Sequence, residues 1–315
     1  MTTLWLACLG VLACSEDGAS STLDAATADA GTPIDADPTF DGDGTPRGIV
    51  VVHSDYHSSS VSFLDRNGTL VKDGCLTSGT GTPELSMTLS QDLALPSPMP
   101  PDSPVVIIDR GNATLIWLDP RTCAPLQQIS VGTGFAANPH DYVQVSADKA
   151  YVPRYKANTT ATPAPEDLDD GDDLLIVNPS QASLVGRIAL APFAPTGFLP
   201  RADRALLIEG MVYLSLNLSD AKFDTYAAGR LLVVDPTQDK VVTVIDLPGT
   251  KNCGAMTYLS EEHKLLVACT GDYSPSADGS AVVVLDMTAS PPAIAAVLST
   301  ALVAGHAFSN ASLAA

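Results

Sequence analysis

The chain has 315 residues, of which 45% are hydrophobic but only 5% aromatic, and its 36 acids against 16 bases give a formal net charge of −20. That balance excludes nucleic acid and anionic membrane surfaces as partners of the protein surface. The length is ample for one large all-β unit, and the Val, Leu, Ile and Ala that supply most of the apolar content suit closely stacked sheets.

Residues 4–13, LWLACLGVLA, form an apolar run of ten, too short to span a bilayer as a helix. The run ends in Val11-Leu12-Ala13-Cys14, a context that resembles a bacterial lipobox, in which the cysteine is acylated and becomes the new N-terminus. Small Ala13 and the abrupt change to SEDGASST fit that pattern; the lack of Lys or Arg before the run and its shortness do not. A plain secretory signal or a fortuitous apolar start is the blander reading. The lipobox reading divides the chain into a signal peptide, 1–13, a lipidated Cys14 with its linker, 14–46, and a folded domain, 47–315. The protein is then exported and held in a bacterial cell envelope, at the outer membrane, by the lipid alone. Residues 15–46 carry eight acids and no base, so they cannot bury enough apolar surface to offset their ordering entropy and read as a self-repelling tether.

From about Gly48 the chain repeats. A β-rich run ends in Asp or Asn, turns, and gives way to a second apolar run: SVSFLDRNGTLV ending at Val71, TLIWLDPRTCAPLQQI at Ile129, LLIVNPSQASLVGRI at Ile188, LLVVDPTQDKVVTVI at Ile245 and AVVVLDMTASPPAIAAV at Val297. The turn residues Asp65, Asp119, Asn178, Asp235 and Asp286 stand 54, 59, 57 and 51 residues apart, about the length of a four-stranded propeller blade with its loops. A hairpin precedes the later copies: Asp141-YVQVSADKAYV lies over Asp203-RALLIEGMVYL without a gap, and AMTYLSEEHKLLVAC fits with one insertion. The spacing predicts an all-β fold, a β-propeller of four-stranded antiparallel blades with about five blades. A β-sandwich has no reason to repeat one turn chemistry at one phase. IVVVHSDY and SVSFLD then read as the last two strands of a blade, whose first two could come from PAIAAVLS and HAFSNASLA at the other end of the chain; because the chain stops at Ala315 in the middle of what reads as a strand, a truncated C-terminus is the favoured expectation.

GTGFAANPHDYVQVSADKAYV and the LLVVDPT turns resemble the repeats of YVTN or YncE-type propellers. Together with the lipobox, the acidic linker, SDYHSSSVSFLD, NPHD, DDGDDLLIVNP and DLPGTKNCGAMTYL, the chain from Arg47 onward is similar to a family of propeller lipoproteins from myxobacteria and their relatives. The resemblance implies about seven blades, two more than the repeats supply. It implies no reaction.

Beyond Cys8 and Cys14 four cysteines remain, an even number that suggests disulfides after export. Cys253 and Cys269 flank a hairpin centred on Glu261, which sets them opposite each other on adjacent strands. Cys75 with Cys123 follows by elimination, although a simple propeller would put them on opposite faces.

Asn138, His140, Asp141, Arg154, Arg201 and Asp203 fall at strand ends that line the mouth of a central channel, where opposed charges could hold a small anion, a peptide or a glycan. The plainer reading gives Asp141 and Asp203 to loop backbone as turn residues. The insert from Glu166 to Asp173 carries six acids, and Asp169, Asp170, Asp172 and Asp173 could hold calcium; a solvated acidic loop competes with that reading. No G-x-S-x-G elbow, H-E-x-x-H pair, phosphate loop or haem motif occurs. The sequence thus reads as an envelope-anchored binding or scaffold module without a cofactor, its ligand an unidentified protein, peptide or glycan. The alternative is a lactonase-like hydrolase with a divalent metal in the channel.

Overall fold

The computed structural model describes residues 48–98, 103–161, 168–273 and 277–309, all within the compact unit Ala36–Ala315. The signal peptide, Cys14, the linker and residues Glu166 and Asp167 lie outside the described residues.

Five antiparallel sheets follow one another along the chain. The first holds β1 (Gly48–Ser54), β2 (Ser59–Asp65) and β3 (Leu70–Thr77). The second holds β4 (Leu93–Ala94), β5 (Val105–Asp109), β6 (Thr114–Leu118) and β7 (Pro125–Ser130), and the third β8 (Val143–Ser146), β9 (Lys149–Ala157), β10 (Gly171–Asn178) and β11 (Ser183–Ala189). The fourth holds β12 (Ala202–Ile208), β13 (Met211–Leu216), β14 (Ala228–Asp235) and β15 (Lys240–Lys251), and the fifth β16 (Cys253–Leu259), β17 (Lys264–Cys269), β18 (Ala281–Asp286) and β19 (Ala293–Ser299). Each sheet is a meander in chain order. The first strand of the fourth sheet, β12, touches both β8 and β16, so first strands meet their neighbours while last strands face water. All seven residues of β19 are exposed. The protein is a β-propeller with five blades, the first of them three-stranded.

Why the runs before the turns are apolar throughout follows from the packing. Both faces of the second, third and fourth sheets are covered by neighbouring sheets, so consecutive side chains, which point to opposite faces, must all be apolar. In β14, Leu232 and Val234 pack on the third sheet beside Leu174 and Ile176, while Leu231 and Val233 pack on the fifth beside Val267 and Val283. In β10, Leu175 and Val177 turn the other way, to Val106 and Trp117 of the second sheet. Val105 and Ile107 of β5 meet Val61 and Phe63 of the first. The turn chemistry is equally regular. Asp65 Oδ1 accepts the N–H of Asn67 at 2.8 Å, Asp119 Oδ1 that of Arg121 at 2.7 Å, Asp235 Oδ1 that of Thr237 at 2.8 Å and Asp286 Oδ1 that of Thr288 at 3.0 Å. Each side chain thereby mimics a backbone turn, and Asn178 does the same for Gln181 at 3.2 Å.

One sequence expectation is corrected. The run after each turn closes the sheet it follows and does not open the next: β3 pairs with β2 and β19 with β18. PAIAAVLS therefore completes the fifth sheet, residues 305–309 form no strand, and β1 to β3 correspond to the second, third and fourth strands of the other blades. Cys75 and Cys123 are bonded, as elimination suggested, even though a simple propeller would set them apart. Register shifts against β2 bend β3 off a regular path, and the bond joins β3 to the β6–β7 turn of the second sheet. Cys253 and Cys269 are bonded within the fifth sheet, directly opposite in the register of β16 and β17.

Candidate functional site

A shared backbone device builds one rim of the propeller. Ahead of three consecutive first strands stands a residue in the left-handed region, Asn138 (φ 51°), Arg201 (φ 52°) and Asn252 (φ 52°). Its carbonyl accepts an N–H from the end of the second strand or just past it: Tyr155 at 3.2 Å, Asn217 at 3.0 Å and Thr270 at 3.0 Å. After it the pairing slips by one residue in each blade, between Ala202 and Ala205 in the fourth and between Cys253 and Met256 in the fifth. The third blade has a further slip between Gln144 and Ser146. That second bulge overturns the gapless alignment of Asp141 with Asp203. Pro139 faces Arg154 as Ala202 faces Leu216, so the counterpart of Asp203 is His140, and the counterpart of Asp141 is Arg204.

Two of the six expected mouth residues are spent inside the protein. Asp141 is fully buried; it accepts the N–H and hydroxyl of Ser97 at 2.7 and 2.6 Å, the N–H of Ala205 at 2.9 Å and that of Tyr142 at 2.8 Å. It ties three blades together. Burial pushes its carboxyl up, with the Arg204 charge and these bonds pulling the other way. Arg154 is also fully buried. Its guanidinium grips Asp173 with Nε at 2.7 Å and Nη2 at 2.6 Å, and its remaining donors reach Val131 O, Thr133 Oγ1 and Leu168 O. No donor is left for a ligand. Neither residue faces the mouth, which corrects the sequence reading: both lie beneath the rim, spent on partners within the protein.

The four insert acids expected to share calcium are drawn apart. Asp173 belongs to Arg154, Asp170 to Arg187, and Asp172 Oδ1 accepts the Arg201 N–H at 3.0 Å. Asp169 has its own interaction. Among the described residues no three His, Cys, Asp or Glu side chains converge as a metal would need.

The other four expected residues, Asn138, His140, Arg201 and Asp203, do meet. His140 Nδ1 lies 2.8 Å from Asp203 Oδ1 and Nε2 lies 3.0 Å from Asn138 Nδ2. Asn217 Nδ2 donates to Asp203 Oδ2 at 3.3 Å and to Cys253 O at 2.6 Å. Burial works against ionisation of Asp203, but the hydrogen bond and charge of His140 outweigh it and hold the carboxyl below the usual range. The His140 ring stacks on Tyr155 at 4.1 Å, and Tyr155 runs parallel to Phe223 at 6.2 Å. Arg201 lies over Phe223 at 4.5 Å and over Tyr155 at 5.4 Å. Beyond them Tyr226 meets Tyr273 edge to face at 5.8 Å. Phe223 is 41% and Tyr273 69% exposed, so the rings climb from the buried rim to water.

Sequence reasoning missed Phe223, Tyr226 and Tyr273, along with Asn217 and the link of Asp172 to Arg201. The three rings sit in the β13–β14 and β17–β18 loops, which differ in length and lack a period. The one available signal was the concentration of rare aromatics just after the second strand of successive blades.

No protein-family model matches the chain, and no curated protein matches it. Solved structures do. A structure of hydrazine synthase from Kuenenia stuttgartiensis covers 85% of this chain and 68% of its own at 14% identity, with a TM-score of 0.51. A protein from Lactobacillus plantarum covers 79% and 67% at 12% identity, with a TM-score of 0.50. A Bacteroides fragilis protein proposed to be a 6-phosphogluconolactonase covers 76% and 63% at 16% identity, with a TM-score of 0.47, too low to carry an argument. At such identities likeness extends to architecture and no further: the chain has a propeller-like, all-β fold.

Proposed function

We propose that this protein is a binding module of the bacterial cell envelope, lipidated at Cys14, similar in kind to the YVTN-type propeller lipoproteins, and that it takes its ligand at the aromatic rim. One observation carries this reading. Phe223 and Tyr273 stand exposed beside a half-buried polar cluster of His140, Asn138 and Asp203, the combination of apolar platform and oriented polar groups that recognition sites use. Two disulfides support an exported protein.

The test is retention on a glycan array and a peptide library by the wild type and by the double variant Phe223→Ser, Tyr273→Ser, whose exposed positions leave the core intact. A ligand bound by the wild type and lost by the variant is expected; equal retention by both would sink the proposal. For the anchor, Cys14→Ala should abolish incorporation of labelled palmitate and release the protein from membranes. No observation favours the hydrolase alternative.

A further inference from the structure

Resting on that reading of the rim, we propose that Arg201, with the hydroxyls of Tyr155 and Tyr226, is a recognition site for a small monocarboxylate whose neighbouring hydroxyl or ammonium group meets Asp172.

Arg201 is 5% exposed, yet no carboxylate lies within ion-pair distance of its guanidinium among the described residues. Nε donates to Ser219 Oγ at 3.3 Å and Nη1 to Tyr155 O at 3.2 Å, which leaves three of the five guanidinium donors of an arginine without a protein partner. A buried cation is normally paired, because desolvating it alone is costly. Here the cation is held in place by two aromatic rings and a neutral oxygen on each bonded side, with its open edge unclaimed. The Tyr155 and Tyr226 hydroxyls likewise find no hydrogen-bond partner among the described residues, and both phenols stand close enough to feel the Arg201 charge.

An acceptor waits beside these donors. Asp172 is 7% exposed; Oδ1 takes the Arg201 N–H, and Oδ2 is buried with no partner. Such an orphaned oxygen is expensive unless something meets it. The planar fork of a guanidinium matches a carboxylate. A dianion such as phosphate is disfavoured: Asp172 feels the Arg201 charge, and the two tyrosines beside it feel Asp203, Asp220 and Asp272, on a chain of net charge −20. A single negative charge with a donor group next to it satisfies every open atom. A uronic acid and a free amino acid both have that form.

Isothermal titration of the purified protein with D-galacturonate, L-alanine, D-galactose and inorganic phosphate separates the sources. At least one of the two carboxylates should bind at least about tenfold more tightly than galactose and phosphate, and which of them binds identifies sugar acid or amino acid. Arg201→Gln should abolish that binding. Tyr226→Phe, which removes one oxygen and leaves the ring in place, should weaken it by about threefold to tenfold with an unchanged circular dichroism spectrum. Failure of both carboxylates to bind overturns the proposal, as does phosphate binding equally well or an affinity unmoved by Tyr226→Phe. Galactose bound as tightly as galacturonate also overturns it, while leaving the rim a binding site for neutral ligands.

Discussion

Replacing Arg154 by Met should cost most of the stability the third blade contributes. The substitution leaves Asp173 fully buried, its nearest remaining cation being Arg187 Nη1 at 4.0 Å. Removing one member of a buried ion pair typically costs about 3–5 kcal/mol. The distant Arg187 places the charge loss near the lower bound, about 3 kcal/mol, and the Val131 carbonyl, left without its donor while Leu168 O keeps the Thr133 hydroxyl, adds about 1 kcal/mol. A total near 4 kcal/mol corresponds to a fall in Tm of roughly 10 °C for a domain of this size. The double variant Arg154→Met, Asp173→Leu removes the stranded charge as well and should recover to within about 1–2 kcal/mol of the wild type. Urea unfolding followed by circular dichroism and by tryptophan fluorescence, with coincident transitions, measures both. A single variant costing less than about 1 kcal/mol, or a double variant worse than the single, would refute the argument that the pair is structural and charge-locked.

Asp172 supplies a pH signature. Burial raises its carboxyl from 3.8 to about 6, so the folded state holds the proton more tightly than the unfolded one. Its contribution is fully present below pH 4 and is lost as the pH rises through about 6, an effect of roughly 3 kcal/mol. Asp172→Asn should therefore stabilise the protein at pH 7 and do nothing at low pH, which thermal melts at several pH values will check. Reduction should lower Tm through both disulfides: closing 48 and 16 residues is worth about 4 and about 3 kcal/mol respectively on the loop-entropy scale. The serine variants Cys75→Ser and Cys253→Ser should rank in that order. Asp235→Ala removes an exposed turn mimic whose carboxyl is held low by the Thr237 hydroxyl and N–H. Its small loss of Tm should be present at neutral pH and vanish as the pH falls below the carboxylate range.

Much of the architecture could be read before any coordinates. Five Asp or Asn turns at near-equal spacing announce five sheets, since the same side-chain hydrogen bond recurs at each of them. The cross-strand cysteines were visible from hairpin symmetry. What misled was phase: a turn joining two apolar runs looks the same whether the second run closes one sheet or opens the next, and only pairing decides. The site was half legible. His140, Arg201 and Asp203 stand out as charges at strand ends, but Asp141 and Arg154 are claimed by Ser97, Ala205 and Asp173, partners distant in sequence, and the extra bulge in β8 that offsets Asp141 from Asp203 leaves no compositional trace. The rings at Phe223, Tyr226 and Tyr273 are brought in by loops whose lengths vary freely.

Because the four largest apolar clusters each lie between two neighbouring sheets, cohesion along the wall passes mainly from neighbour to neighbour, and only a small cluster sits on the fifth sheet itself. The two covalent links then differ in kind. Cys75 and Cys123 rivet adjoining blades, so that end resists peeling; Cys253 and Cys269 stitch a blade to itself and leave its junction with the fourth sheet to packing and to hydrogen bonds such as that from Asn217 Nδ2 to Cys253 O. Loosening should therefore be directional, starting at β19 and travelling back toward the riveted seam, with amide exchange slowing in the same sequence.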